Sequence, residues 1–174
     1  MSLGDWTNGS AGGGRRSGAA ALDQAVGKVV RGAGAAFEAA YRVQPADLDE
    51  LDHANNVSYV RWLEWITRKH NAAFGLDQDY LKANGAVFVV VDYQLRYLRA
   101  CGLDDTLRIR TSVVEYGHYS HDRAYQIVAE RDGGLLFEGA GKWVCMNLAS
   151  GRLARMPKEY QRRMAAMAAA SDAP

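Results

Sequence analysis

A chain of 174 residues is long enough for one domain with a buried core, and 48% apolar against 24% charged residues is ordinary globular composition. A formal net charge of +1 gives no case for nucleic acid or an anionic membrane as a partner, and no apolar run approaches the ~18 residues of a membrane span. Two cysteines, Cys101 and Cys145, make neither a disulfide framework nor a metal quartet, so free thiols in a reducing cytoplasm are expected.

Residues 1–34 differ in kind from the rest. GDWTNGSAGGGRRSGAAA is rich in Gly and Ala, which raises the entropic cost of ordering, so a flexible segment is expected. The alternative is a short helix, Leu22–Val30, that packs Leu22, Val26 and Val29 on a neighbouring subunit. Arg15 and Arg16 are followed by polar residues and no apolar h-region, so they are not read as an export signal. Residues 35–174 are read as a single domain.

FEAAYRV, Phe37–Val43, reads as a first strand. A loop of carboxylates leads into a helix, Asn56–Phe74, with Tyr59, Trp62, Leu63, Ile66, His70 and Ala73 on one face. Arg61, Glu64, Arg68 and Lys69 fall away from it, and Glu64 and Arg68 are spaced for a surface pair. Asn55 or Asn56 caps the start and Gly75 closes the end. A short helix spans Asp77–Asn84.

The period then changes from 3.6 to 2. Ala86–Leu95, opening on VFVVV, reads as a strand buried on both faces. After a turn at 103–105, Leu107, Ile109, Thr111 and Val113 alternate with Arg108, Arg110 and Ser112 in a half-buried strand. His121–Arg131 follows, with Tyr125, Ile127 and Ala129 on one face. Asp132-Gly133-Gly134 is a hairpin signal, and Leu135–Leu148 returns, bent at Gly139 or Gly141. Pro157 opens a last helix, Lys158–Ala169. The layout is α+β: a curved antiparallel sheet wrapped around a long central helix.

The chemistry-bearing stretch is DLDELDHANN, just before the long helix. A helix N-terminus offers unpaired N–H groups and a partial positive charge, which suit an oxygen that turns negative during acyl transfer. A carboxylate beside it, such as Asp49, can attack an acyl carbon or activate a water, with His53 close by. Read alone, Asp49, Asp52 and His53 fit loop and capping roles equally well.

The pattern Asp47, Asp49, His53, Asn55, Asn56, Tyr59 resembles the signature of hotdog-fold acyl thioesterases of the 4-hydroxybenzoyl-CoA thioesterase type, and the matching segment of plant fatty-acyl-ACP thioesterases. The likeness continues through VDYQLRYLRACGLDDTLRIRTSVVEYG and GKWVCMNLASGRLARMP and covers about Phe37 to Tyr160. It implies a hotdog fold and hydrolysis of an acyl-CoA or acyl-ACP thioester. Asp49 is then the nucleophile or general base, His53 orients the carboxylate or water, and the amide near Asn56 is the oxyanion donor. Asn55, Tyr59 and Arg99 are the expected substrate contacts, with Arg99 gripping phosphate. Neither a metal nor another cofactor is implied. A homodimer or homotetramer with shared active sites is. Ala100 stands where the family often has proline.

Two other readings remain on the same fold: an acyl-CoA hydratase or dehydratase, and a module that binds acyl thioesters without turnover. Arg96, Lys142, Arg152 and Arg155 read as solvated charge, and Trp62, Trp65 and Trp143 as core or interface. His118 and His121 point to opposite sides of an extended chain, so a shared metal would need a turn between them. The resemblance instead puts that turn near the coenzyme A region of the subunit interface.

Overall fold

The computed structural model describes residues 36–172, so the segment 1–34 and its helix Leu22–Val30 lie outside the described residues. Strand β1 (Phe37–Arg42) leads through a single 3-10 turn, Pro45–Asp47, to helix α1 (Asn56–Ala73) and a short α2 (Gln78–Ala83). Strands β2 (Ala86–Tyr97), β3 (Thr106–Tyr116), β4 (Ser120–Ala129) and β5 (Leu135–Asn147) follow, and α3 (Lys158–Asp172) ends the chain. The five strands form one antiparallel sheet in the order β1-β3-β4-β5-β2. The expected α+β layout is present.

Helix α1 forms where the sequence patterns it. The Asn55 side chain accepts the Val57 N–H at 2.8 Å, capping the first turn. Gly75, at φ 71°, supplies the left-handed residue that ends the helix. Tyr59, Trp62, Leu63 and Ile66 pack against Leu107 and Ile109 of β3, Tyr125 and Ile127 of β4, and Phe137 of β5. Leu63 and Ile66 are fully buried, and burial at this level contributes about 1.5–3 kcal/mol per side chain. A second cluster continues along the sheet, where Tyr160, Met164 and Met167 of α3 join Leu76, Leu81, Phe88, Val113, Trp143 and Cys145.

The structure departs from the sequence reading in four places. Ala73 is exposed, and the buried stripe of α1 takes in Thr67 and Asn71 instead, because both find hydrogen-bond partners inside. Glu64 does not pair with Arg68; it is half-buried and accepts the Tyr93 hydroxyl at 3.3 Å. β2 is not buried on both faces. It is a sheet edge, and its Val89 and Val91 are 42% and 57% exposed. The register shifts fall at Val91, Val114 and Leu136, not at Gly139 or Gly141. Gly141 serves a different need: a Cβ there would lie 2.6 Å from the Tyr93 ring.

Candidate active site

The loop between the 3-10 turn and α1 separates its carboxylates by role. Asp47 is buried. It accepts the Tyr41 hydroxyl at 2.8 Å and the Gln44 N–H at 2.9 Å, and lies 3.9 Å from Arg61. Asp49 is half-exposed. Its Oδ1 accepts the Leu51 N–H at 2.9 Å and the His53 N–H at 3.4 Å, a local turn that leaves Oδ2 without a partner among the described residues. Asp52 is the left-handed residue of that turn, at φ 56°. The loop is anchored on the segment entering β3: the Ala54 N–H donates to Cys101 at 2.8 Å, and His53 bridges Gly102. The His53 ring is exposed.

The first turn of α1 has one amide to spare. The Asn55 side chain takes the Val57 N–H, and the Asn55 carbonyl takes the Ser58 N–H at 2.8 Å. The Asn56 N–H has no acceptor among the described residues. One carboxylate and one open amide therefore stand at neighbouring points of the same helix entrance.

The other expected contacts lie as follows. Asn55 is the helix cap. Tyr59 is buried, its hydroxyl 3.5 Å from both Cys101 Sγ and the Arg99 carbonyl oxygen, and burial pushes its pKa far above the usual tyrosine range. Arg99 grips Asp132 with two hydrogen bonds of 2.8 and 2.9 Å, which hold that carboxyl well below its usual range. Any phosphate reaching Arg99 competes with Asp132. His118 is exposed beside Gln161 and Arg155, whereas His121 is buried beside Trp143.

Sequence reasoning missed a polar cluster at the other end of α1. Arg123 of β4 is fully buried. Its guanidinium meets His70 Nδ1 at 3.0 Å, Asn71 Oδ1 at 2.5 Å and His121 Nε2 at 3.3 Å, with no carboxylate of the described residues in contact. Arginine only donates, so each facing atom must accept, and the His121 proton therefore sits on Nδ1, which is buried without a partner among the described residues. Burial, and then the Arg123 charge, pull the His70 pKa down to about 3 and that of His121 well below its ordinary value. Both rings are neutral at pH 7. The signal was parity: Arg123 alternates in phase with the inward-facing Tyr125 and Ile127.

Among the described residues no group of His, Cys, Asp and Glu is arranged to hold a metal, and no helix is long and apolar enough to cross a membrane.

Residues 43–164 match the model of the thioesterase-like superfamily. The chain belongs to that superfamily. It is 24% identical over 129 residues to the long-chain acyl-CoA thioesterase FadM of Escherichia coli (strain K12), covering 72% of this chain and 95% of FadM. Its fold is similar to that of SAV2348 from Staphylococcus aureus, solved in complex with CoA (TM-score 0.73, 15% identity, 78% of this chain and 85% of that one). It is also similar to the DHNA-CoA thioesterase of Staphylococcus aureus (TM-score 0.71, 16% identity, 76% of this chain and 90% of that one). The sheet and its helix are the hotdog fold of this superfamily.

Proposed function

We propose that the protein is a thioester hydrolase that cleaves acyl-CoA to free acid and coenzyme A at the N-terminus of α1. The observation that carries this is the superfamily match over 43–164, joined to the 24% identity with an acyl-CoA thioesterase along 95% of that enzyme. The loop geometry supports a role for Asp49, whose free oxygen and the open Asn56 amide flank one helix entrance.

In this reading the Asp49 carboxylate takes a proton from water as the water oxygen attacks the thioester carbonyl carbon. The carbonyl oxygen becomes an oxyanion and accepts the Asn56 N–H, aided by the helix dipole. The C–S bond then breaks, and the thiolate leaves with the proton returned by Asp49. The same carboxylate acting as nucleophile is the second route, through an anhydride that water opens. His53, exposed at the loop, orients the water or the carboxylate. Asn55 holds the turn, Tyr59 backs it from the core, and Arg99 exchanges Asp132 for a substrate phosphate. An acyl-carrier protein is the alternative thiol carrier. Buried free Cys101 and Cys145 accord with a cytoplasmic location.

A second copy of the chain completes the reading. β2 has 12 residues and an open edge, with Val89 and Val91 exposed, and such an edge is a liability unless paired. Pairing β2 with β2 of a second protomer makes a homodimer, or a homotetramer by further association, with active sites shared across the seam. Thiol release from a panel of acyl-CoAs, with light scattering on the same sample, tests both parts. No release from any acyl-CoA removes the activity, and a stable monomer at micromolar concentration removes the shared site.

A further inference from the structure

A cavity of about 260 Å³ opens beside the second half of α1. The backbone of α1 lies closest to β3 and β1, and side chains bridge the wider space toward β2. Tyr97 reaches the Asn56 carbonyl at the N-terminal end of α1, and Tyr93 reaches Glu64 two turns further on. Past Tyr93 lies the cavity, lined on the sheet side by Phe88 and Trp143 and on the helix side by Glu64, Thr67 and Asn71.

Asn71 is only 7% exposed. Its Oδ1 is held by Arg123 at 2.5 Å, and because arginine cannot accept, the amide orientation is fixed. The NH₂ end has no acceptor among the described residues, and Asn71 lines the cavity. The buried guanidinium has no carboxylate of the described residues in contact and polarises the amide so as to strengthen its NH₂ as a donor. Thr67 is held in place as well: its Oγ1 lies 2.9 Å from the Tyr125 hydroxyl, which accepts the Trp143 Nε1–H at 3.0 Å. The exposed Arg68, Asp77 and Gln78 line this cavity on its solvent side, whereas its buried wall is apolar apart from Thr67 and the fixed Asn71 N–H donor, which suits an apolar ligand carrying one oxygen.

We propose that this cavity holds the far part of the acyl chain, and that Asn71 selects chains bearing an oxo or hydroxy oxygen there. The proposal rests on the reading of the α1 N-terminus as the thioester site. Thr67 and Asn71 lie 11 and 15 residues beyond Asn56, about 16 and 22 Å along the helix. At roughly 1.2 Å per bond of extended chain, that span takes about fourteen to eighteen bonds. A single aromatic ring on the thioester does not reach it, whereas a long aliphatic chain does.

The test uses two acyl-CoAs of about sixteen carbons, one saturated and one with an oxo group in its last third. Thiol release is measured for both, and calorimetric binding of the two free acids to the same protein is measured beside it. The oxo chain should show about tenfold higher kcat/KM, and its acid should bind more tightly by a similar factor. Asn71→Asp keeps an acceptor toward Arg123 but replaces the donor, so it should erase the preference, bringing the kcat/KM ratio of the two chains to about one. The wild-type comparison stands by itself if that variant does not fold. Equal handling of the two chains overturns the proposal. Hydrolysis of other acyl-CoAs with no binding of either acid overturns it too and leaves the proposed activity intact. Selective acid binding without any thiol release supports the cavity assignment and removes the activity. Neither binding nor release removes both.

Discussion

The two ends of α1 treat polar groups in opposite ways. At the N-terminal end Asp47 is buried, Asp49 and Asn55 lie nearer the surface and accept from backbone N–H groups, and two groups stay open among the described residues: Asp49 Oδ2 and the Asn56 N–H. Toward the C-terminal end Arg123, His70, Asn71 and His121 are buried and satisfy mainly one another, without a carboxylate among the described residues. The first arrangement leaves atoms open to a ligand. The second fixes them, at the cost of burying a charge. Open polar groups and fixed ones are thus separated along one helix.

The comparison breaks first at Asp49. Asp49→Asn should lower kcat by ~10²–10⁴-fold with the melting temperature nearly unchanged, as expected for loss of a positioned base. Asp47→Asn should do the reverse: a loss of about 1–3 kcal/mol in stability, because a buried acceptor loses partners, with turnover within about tenfold. Urea melts and thiol release on both variants decide it. A dead Asp47→Asn beside an active Asp49→Asn would mean the two carboxylates have exchanged roles.

Truncation in the shared core weakens both ends together. Ile66 is fully buried between them, and Ile66→Ala should cost about 2–5 kcal/mol in chemical denaturation. A loss below about 1 kcal/mol would show that the site collapses around the smaller side chain.

The buried cluster should make the protein acid-sensitive in a defined window. His70 has its folded pKa lowered from 6.5 to about 3 by burial and then by Arg123, while the unfolded chain titrates near 6.5. Between those values the unfolded state binds more protons. The stability from the neutral ring is therefore whole above 6.5 and is lost as pH falls toward about 3. At about pH 5 the loss from this one ring is about 2 kcal/mol. His121, facing Arg123, His70 and Lys142, shifts in the same direction and adds to it. Melts at pH 7 and about pH 5 that superimpose would show that the histidines are not buried neutral.

The smallest effect separates two adjacent residues. Asn55→Ala removes the cap and should cost about 1 kcal/mol. The Asn56 side chain makes no hydrogen bond among the described residues, so Asn56→Ala should leave stability nearly unchanged. Equal losses from the two would place the cap across both.

Short-range order was legible. The apolar face of α1, its cap and glycine stop, the alternation of the first half of β3, and the hairpin at Gly133 all follow from residues within a few positions of one another. The carboxylate loop was legible for the same reason: Asp49 turns on Leu51 and His53, its near neighbours. The burial of Asp47 was not, since Tyr41 and Arg61 claim it from outside the loop.

What tertiary structure alone decided is where the chain meets itself at a distance. A period of 2 says that β2 is a strand, but a valine run reads the same at a sheet edge as at its centre, and only the order β1-β3-β4-β5-β2 puts it at the edge. Charge patterning gives Glu64 a surface partner in Arg68, yet Tyr93, 29 residues away, claims it. Arg123 shares the parity of Tyr125 and Ile127, but its acceptors are His70 and Asn71, more than fifty residues earlier, which only the fold closes around it. Local propensity is set by neighbours in sequence, whereas burial of a polar group depends on partners that only the fold brings within hydrogen-bond reach.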